Sequence, residues 1–343
     1  MGMAHSIASK NPVSWLGIGT EGLYCASGGF HIDPVRPVER AVITHGHSDH
    51  ARPGHGAALA TPETIAIMQA RHGTEFPTRY QPLAYGQTIR LGDVTVSLAP
   101  AGHVLGSAQV VLEHAGARVV VSGDYKRRPD PTCQPFLPVP CDVFVTEATF
   151  GLPVFRHPDD AHEIERLLHS LAVFPERAHL VGTYALGKCQ RVIRLLRKAG
   201  YDRPIFVHGA LLGLCELYER LGVPLGPLVH VTGANKAALR GQIVLAPPSA
   251  AAERWSRALP DPVVAMASGW MRIKQRAKAG GVELPLVISD HADWDELDRT
   301  VEEVGAPEIW ITHGREEALL HHFRKKGYRA RALALAGFEE EGQ

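Results

Sequence analysis

Short apolar runs rich in β-branched residues recur along the chain, and each stops at a polar residue with chemical potential. Runs of this length are too short for a helix and are typical of buried strands. Layered α/β folds build their sites at strand ends, so the pattern predicts one site assembled from several strands. Five runs fit: 41–44 before His45, 119–123 before Asp124, 143–146 before Glu147, 285–290 before His291 and 309–312 before His313.

The middle of the chain has a different rhythm, in which helical periodicity alternates with apolar strands. This βαβ pattern predicts a smaller parallel-sheet domain inserted into the first one. We expect the outer domain at 1–152 and 284–343 and the insert at 153–283. The predicted elements of the insert are helices at 159–174 and 188–199 and strands at 178–181 and 205–207, and helices at 293–304 and 315–326 close the outer domain.

Composition narrows the class of protein. The 343 residues contain 36 Lys+Arg and 36 Asp+Glu, a balance that excludes a globally basic nucleic-acid-binding protein but leaves room for a local basic groove. Five cysteines without a C-x-x-C pair argue against a disulfide framework and a cysteine zinc site. With no leader pattern and no long apolar stretch, we expect a soluble cytoplasmic protein without a membrane partner. The 19 histidines point to metals or proton transfer.

The segment His45-Gly46-His47-Ser48-Asp49-His50 is the strongest candidate for a metal site. On an extended backbone His45 and His47 project the same way and can share one ion, while Asp49 and His50 lie past the turn and can hold a second. A hydrophobic core would not tolerate four such polar groups. The segment therefore predicts two metal ions.

A dinuclear site needs further ligands, including a bridge. Asp124 is the candidate bridge, because the two oxygens of a carboxylate can each bind a metal. His103, in a glycine-flanked turn, could complete the first site, and His313 could complete the second. Taken singly, each histidine is more often a hydrogen-bonded structural residue.

The order of these segments resembles the metallo-β-lactamase superfamily and, within it, the β-CASP nuclease branch. The matching elements are H-x-H-x-D-H at 45–50, Gly-His at 102–103, Ser-Gly-Asp at 122–124, Thr-Glu at 146–147, Ser-Asp-His-Ala-Asp at 289–293 and Thr-His-Gly at 312–314. Finer texture at 30–34, 183–188, 246–250 and 267–271 is similar to the bacterial ligase-associated DNA exonucleases. The resemblance implies an α/β fold, a metallo-β-lactamase αββα sandwich with an inserted β-CASP α/β domain.

The resemblance also implies roles for single residues. It places one ion on His45, His47, His103 and Asp124, and the other on Asp49, His50, Asp124 and His313. It makes Asp33 a residue that orients a ligand and gives Asp49, Glu147 and His291 catalytic roles, the last two beside the leaving group.

The implied activity is metal-dependent hydrolysis of DNA phosphodiester bonds from an end, in repair beside a DNA ligase. Two divalent ions, zinc first and manganese second, would activate a hydroxide. The leaving oxygen would take a proton from His291, oriented by Glu147. The alternative is an RNA-processing β-CASP ribonuclease, since a histidine at 313 is usual in the RNA-directed members. A small-molecule metallohydrolase would lack the insert, and an inactive nucleic-acid-binding scaffold would have lost ligands.

Substrate contacts are the weakest part of the pattern. Residues 182–188 have the spacing of a phosphate-binding loop, but Cys189 stands where a magnesium-binding Ser or Thr is needed. Basic residues near that loop and in the run after 270 are either backbone contacts or solvated faces. The candidates are Lys188, Arg191, Arg272 and Lys274 for phosphates, and Tyr184 and Trp270 for stacking on a base.

Overall fold

The computed structural model describes residues 14–73, 79–232, 238–253, 255–314 and 316–333. Its strands are β1 Leu16–Gly19, β2 Gly22–Cys25, β3 Phe30–Ile32, β4 Arg40–Val42, β5 Ala57–Ala60, β6 Arg79–Pro82, β7 Thr88–Leu91, β8 Val94–Pro100, β9 Ala108–His114, β10 Ala117–Val121, β11 Val143–Ala148, β12 His179–Gly182, β13 Ile205–Val207, β14 Leu228–His230, β15 Ile243–Ala246, β16 Val263–Ala267, β17 Leu284–Leu286, β18 Glu308–Gly314 and β19 Arg329–Ala332. Its α-helices are α1 Pro62–His72, α2 Asp160–Val173, α3 Lys188–Lys198, α4 Gly209–Arg220, α5 Lys274–Ala279, α6 Trp294–Val304 and α7 Glu316–Lys325.

Two sheets form a sandwich. The first has the order β1-β2-β3-β4-β5-β6 and the second β19-β18-β11-β10-β9-β8-β7. Apolar residues of both sheets share one buried core, in which Leu23 and Val42 of the first sheet lie with Val119 and Trp310 of the second. In β9, β10 and β11, alternate residues face this core and the others face helices α6 and α7.

Helices cover both outer faces of the sandwich. Helix α1 packs Ile65 and Met68 on the first sheet, and α6 and α7 pack Leu297 and Phe323 on the second. Helix α6 starts at a capping box in which Asp293 accepts from the Glu296 amide and Glu296 accepts from the Asp293 amide. The layers are thus helix, sheet, sheet, helix, and the predicted αββα sandwich is confirmed.

A third sheet of order β14-β13-β15-β12-β16-β17 has only parallel neighbours. Helices α2, α3 and α4 bury their apolar sides against it, and Ile67 of α1 joins the same core, which ties this layer to the sandwich. The predicted helices 159–174 and 188–199 are confirmed as α2 and α3, and the strand 205–207 as β13. The helix predicted at 315–326 is α7, with Arg315 outside the described residues.

The predicted strand 285–290 is shorter than expected. Strand β17 ends at Leu286 and pairs with β16 of the third sheet. The carbonyls of Ile288 and Ser289 accept instead from the side chains of Lys188 and Arg191, so no ladder continues there. The boundary predicted at 283/284 therefore falls at the start of a strand of the third sheet, and the domain limits stay a prediction.

No α-helix in the described part of the chain is long and apolar enough to cross a bilayer.

Candidate metal centre

The predicted ligands lie beyond or near the carboxyl ends of strands. Strands β10, β11 and β18 run parallel to one another, so their carboxyl ends share one edge of the second sheet. The segment after β4 approaches the same edge from the first sheet. The segment after β4 carries His45, His47, Asp49 and His50, the β8–β9 loop carries His103, the turn after β10 carries Asp124, and β18 carries His313.

Four side chains form a first buried cluster: His45, His47, His103 and Asp124. His47 Nδ1 lies 3.1 Å from His45 Nε2 and 3.0 Å from His103 Nε2. Asp124 Oδ2 lies 3.6 Å from His45 Nε2 and 3.8 Å from His103 Nε2. Three imidazoles and a carboxylate converging through single atoms are the donor set that zinc and similar divalent ions bind.

The outer nitrogens of these rings have partners that set the tautomers. His103 Nδ1 donates to the carbonyl of Asp290 at 2.9 Å, and His47 Nε2 donates to the carbonyl of Leu186 at 3.3 Å. Because a carbonyl can only accept, the hydrogen of each ring lies on its outer nitrogen and the lone pair faces the cluster. Thr44 Oγ1 lies 3.0 Å from His45 Nδ1, and because this hydroxyl gives its own hydrogen to Asp33 Oδ2, it accepts from Nδ1.

Electrostatics keep the first cluster in the form that binds a metal. Burial lowers the pKa of His45 and of His103 well below the ordinary range, and neighbouring imidazoles lower both further. These rings are therefore neutral at neutral pH. Burial by itself would raise the pKa of Asp124, but the charge of His50 holds it well below its usual value, so this carboxylate is ionised.

A second cluster shares Asp124 with the first. Its members are His50, Asp124 and His313, and His50 Nε2 lies 3.4 Å from Asp124 Oδ2. Asp49 Oδ2 is 3.7 Å from the same nitrogen, and Asp49 Oδ1 is buried without a hydrogen-bond partner among the described residues. Burial lowers the pKa of His313 to about 4, which keeps that ring neutral. The shared carboxylate stands where a bridging ligand is needed, so the residues fit two ions.

Asp33 holds His50 in place. Its Oδ1 accepts from the Thr44 amide at 2.8 Å, and its Oδ2 accepts from Thr44 Oγ1 at 2.6 Å and from His50 Nδ1 at 2.8 Å. With Nδ1 occupied, His50 presents Nε2 to Asp124. Asp33 and His313 both have left-handed backbones, with φ of 44° and 55°. Such conformations are uncommon for residues other than glycine and cluster at functional sites.

Beside the clusters, Glu147 and His291 form a pair. His291 Nδ1 lies 2.9 Å from Glu147 Oε2 and 3.1 Å from Oε1. Glu147 is fully buried and also accepts from the Tyr125 amide at 2.7 Å. One atom each of Asp124, Glu147 and His291 lies within 4.8 Å of the others. The structure thus brings the predicted acid–base pair next to the predicted ligands.

The residues proposed for nucleic-acid contact fall into two groups. Lys188 and Arg191 are buried and paired with carboxylates inside the protein, so a phosphate would have to displace those partners. Neither side chain is therefore exposed to a substrate phosphate. Trp270 is buried with the Arg276 guanidinium 4.1 Å above its ring, and Tyr184 is half-buried. Arg272 and Lys274 are exposed.

Sequence reasoning missed the groups that hold the rings from outside. Thr44, the carbonyl of Leu186 and the carbonyl of Asp290 contact ligand histidines. Thr44 could have been found, because it directly precedes His45. Leu186 and Asp290 could not, because a backbone carbonyl has no signature in sequence and both come from distant segments.

Sequence comparisons identify relatives of this chain among known proteins. No protein-family model matches the chain. A probable DNA ligase of Opitutus terrae is 29% identical over 92% of this chain, which spans only 30% of that protein's length. A ribonuclease of Thermus thermophilus is 26% identical over 91% of this chain and 89% of its own. An uncharacterised protein in the lig 3′ region of Acidianus ambivalens is 31% identical over 41% of this chain and 99% of its own.

The fold has a counterpart among solved structures. A protein of unknown function from Enterococcus faecalis superimposes with a TM-score of 0.54 at 14% identity, covering 87% of this chain and 80% of that one. That likeness concerns the fold alone. The sandwich, the third sheet, the buried histidine–aspartate clusters and the sequence relatives agree: the chain belongs to the metallo-β-lactamase superfamily, in its β-CASP nuclease branch.

Proposed function

We propose that the protein is a metal-dependent DNA exonuclease that holds two divalent ions. The observation that carries the proposal is the sharing of buried Asp124 between two histidine clusters, with the Glu147–His291 pair at their border. Zinc is the first candidate metal, because nitrogen donors dominate the set, and manganese is the second. The proposed ligands are His45, His47, His103 and Asp124 for one ion, and Asp49, His50, Asp124 and His313 for the other.

Divalent ions bound here would acidify a water molecule and neutralise charge on a phosphate. The protein's own groups supply orientation and the proton. Asp33 and Thr44 hold the rings of His50 and His45 in fixed orientations, so the rings need not reorient during the reaction.

Glu147 holds the Nδ1 hydrogen of His291, so Nε2 is the nitrogen that would give its proton to the leaving oxygen. Glu147 is buried and has no competing contact with solvent, and the Tyr125 amide holds its carboxylate by donating to Oε1.

DNA as substrate is supported by the relatives described with a ligase, from Opitutus terrae and Acidianus ambivalens. We propose on the same ground that the protein acts in repair in association with a DNA ligase, in the cytoplasm. Exposed Arg272 and Lys274 follow Trp270, which packs with Phe150, and the Phe150 ring lies 6.0 Å from that of His291. We propose these two cations as backbone contacts.

A second candidate is an RNA-directed nuclease. It is favoured by the similarity to the Thermus thermophilus ribonuclease, which extends over nearly the whole of both chains. The two candidates share the metal centre and differ in the substrate alone.

Digestion of end-labelled linear and internally labelled circular DNA and RNA, each with zinc, manganese or magnesium, separates the two candidates. We expect linear DNA to lose nucleotides from an end and circular DNA to stay intact. The Asp124→Asn variant should be inactive, and Asp93→Asn, at an exposed residue, should match the wild type. Faster cleavage of RNA would favour the second candidate, cleavage of circles would refute end dependence, and no cleavage with metals bound would refute a nuclease.

A further inference from the structure

Arg191 lies on α3, which packs against the third sheet, but it contacts segments of the sandwich that carry the proposed metal centre. Its side chain is 1% exposed, so it has no contact with solvent that could explain its charge. A buried guanidinium is retained only where carboxylates and carbonyls compensate for its lost hydration. The identity of those compensating groups indicates what Arg191 does.

Three segments meet on the one guanidinium. Nε donates to Asp130, which follows the Asp124 turn. Nη1 donates to the carbonyl of Ser289 and lies 2.7 Å from Asp290 Oδ1. Nη2 donates to the carbonyl of His103 at 3.2 Å. Each segment either contains a proposed ligand or directly precedes His291.

The contact between Arg191 and Asp290 matters because the backbone carbonyl of Asp290 is bonded to a proposed metal ligand. The carbonyl of Asp290 accepts the Nδ1 hydrogen of His103, and this bond turns the Nε2 lone pair toward the cluster. Residues 287–290 lie beyond the end of β17 and have no ladder to hold that carbonyl in place. The carbonyls of Ile288 and Ser289 and the carboxylate of Asp290 are held by Arg191 and by Lys188, whose Nζ lies 2.9 Å from Asp290 Oδ2. The Val287 amide donates to Glu163 Oε2.

The charges in this network balance. Two cations, Lys188 and Arg191, face two carboxylates, Asp130 and Asp290, and all four side chains are buried. Loss of one cation would leave a buried carboxylate uncompensated. Lysine at 191 would preserve the charge, but one ammonium cannot replace a planar fork that spans three segments.

We propose that Arg191 is a positioning residue of the metal centre, which orients His103 through Asp290 and so makes the third sheet part of ion binding. The proposal rests on the proposed two-metal site, and it concerns metal affinity rather than the substrate. The same segment of the third sheet also reaches His47 through the carbonyl of Leu186. The segment that leads into α3 thus contacts the His47 ring directly, and α3 reaches the His103 ring through Asp290.

The test compares metal binding by the wild type, Arg191→Lys and a matched control, Arg194→Lys. Arg194 lies on the same helix and donates to the carbonyl of Pro224, away from the centre. Affinity and stoichiometry are measured by competition with a chromophoric chelator, and the visible spectrum of bound cobalt reports ligand geometry. We expect Arg191→Lys to bind one of two ions about 10- to 100-fold more weakly, with an altered cobalt spectrum. The control should match the wild type in both.

Unchanged affinity and spectrum in Arg191→Lys would overturn the positioning role while leaving the proposed function standing. A wild type that binds no divalent ion would instead overturn the proposed function, and the positioning role with it. If Arg191→Lys does not fold, hydrogen exchange of the wild type decides. Metal should slow exchange at 188–192 and 287–291 but not in α4, and no slowing at 188–192 would refute the coupling.

Discussion

Four imidazoles of the proposed metal centre contact a neighbour through the nitrogen that faces away from the clusters. Thr44 serves His45, the Leu186 carbonyl serves His47, Asp33 serves His50 and the Asp290 carbonyl serves His103. These partners fix which nitrogen of each ring faces the clusters before any ion arrives. The folded chain itself therefore sets the orientation of these four rings.

At the same scale, the proposed proton donor His291 and its partner Glu147 can be tested apart from the proposed metal ligands. We expect His291→Gln to slow cleavage by about 10²- to 10⁴-fold, because the side chain keeps its size and loses the proton. Glu147→Gln should slow it less, since the amide oxygen can still accept from His291 Nδ1 and only the negative charge beside the ring is lost. Rates are measured in single-turnover digests, with metal content as the control. Loss of an ion from His291→Gln would identify His291 as a ligand.

His157 gives a pH-dependent prediction independent of the metals. Burial and, to a smaller extent, the charge of Arg128 lower its pKa from 6.5 to about 3, and neither ring nitrogen has a hydrogen-bond partner among the described residues. The unfolded chain therefore binds a proton below pH 6.5 that the folded protein accepts only near pH 3. Acidification through this window destabilises the protein, by up to about 1.4 kcal/mol per pH unit.

The His157→Phe variant should lose less stability than the wild type between pH 6.5 and pH 4, as measured by urea unfolding at each pH. His169→Phe, at an exposed position of α2, is the control and should follow the wild type. Parallel pH curves for His157→Phe and the wild type would contradict a neutral buried ring.

At the scale of elements, the turn after β10 fits closely against the segment after β4. Gly123 has a φ of 56°, and a Cβ placed there would lie 2.7 Å from the Thr44 Cβ. Thr44 contacts both His45 and Asp33. This turn can bring Asp124 next to the histidines because Gly123 lacks a side chain.

Substitution of Gly123 by alanine should combine backbone strain with displacement of Thr44. Gly86→Ala is the matched control, since Gly86 has a φ of 76° and nothing within 4 Å of the added Cβ. We expect Gly86→Ala to cost about 1–2 kcal/mol from strain, and Gly123→Ala about 1–3 kcal/mol more. Gly123→Ala should also bind metal more weakly. Equal free energies of unfolding for the two variants would exclude the clash.

Across the whole molecule, the centre lies where three sheets meet. The first sheet leads into His45, His47 and His50, the second carries Asp124 and His313, and the third reaches in through α3. Ions bound here would link segments that are far apart in the chain. Metal should therefore stabilise the molecule as a unit.

Removal of metal by a chelator should lower the unfolding temperature without loss of helix and strand content. At free metal 100 times the dissociation constant, binding adds about 2.7 kcal/mol. Circular dichroism and thermal unfolding of stripped and reloaded protein measure both effects. The Asp124→Asn variant should respond less to metal, and an identical response in that variant would contradict the shared ligand.

Sequence alone determined the elements with strong periodicity and the residues with distinctive chemistry. Helix α3 and strand β13 follow from local pattern. The segment 45–50 is recognisable as a candidate site because buried polar groups are rare without a partner. Only the tertiary structure shows that β17 ends at Leu286, before 287–290, and that Lys188 and Arg191 face inward. A basic residue looks the same in sequence whether it meets solvent or a buried carboxylate, because that difference depends on segments about a hundred residues away.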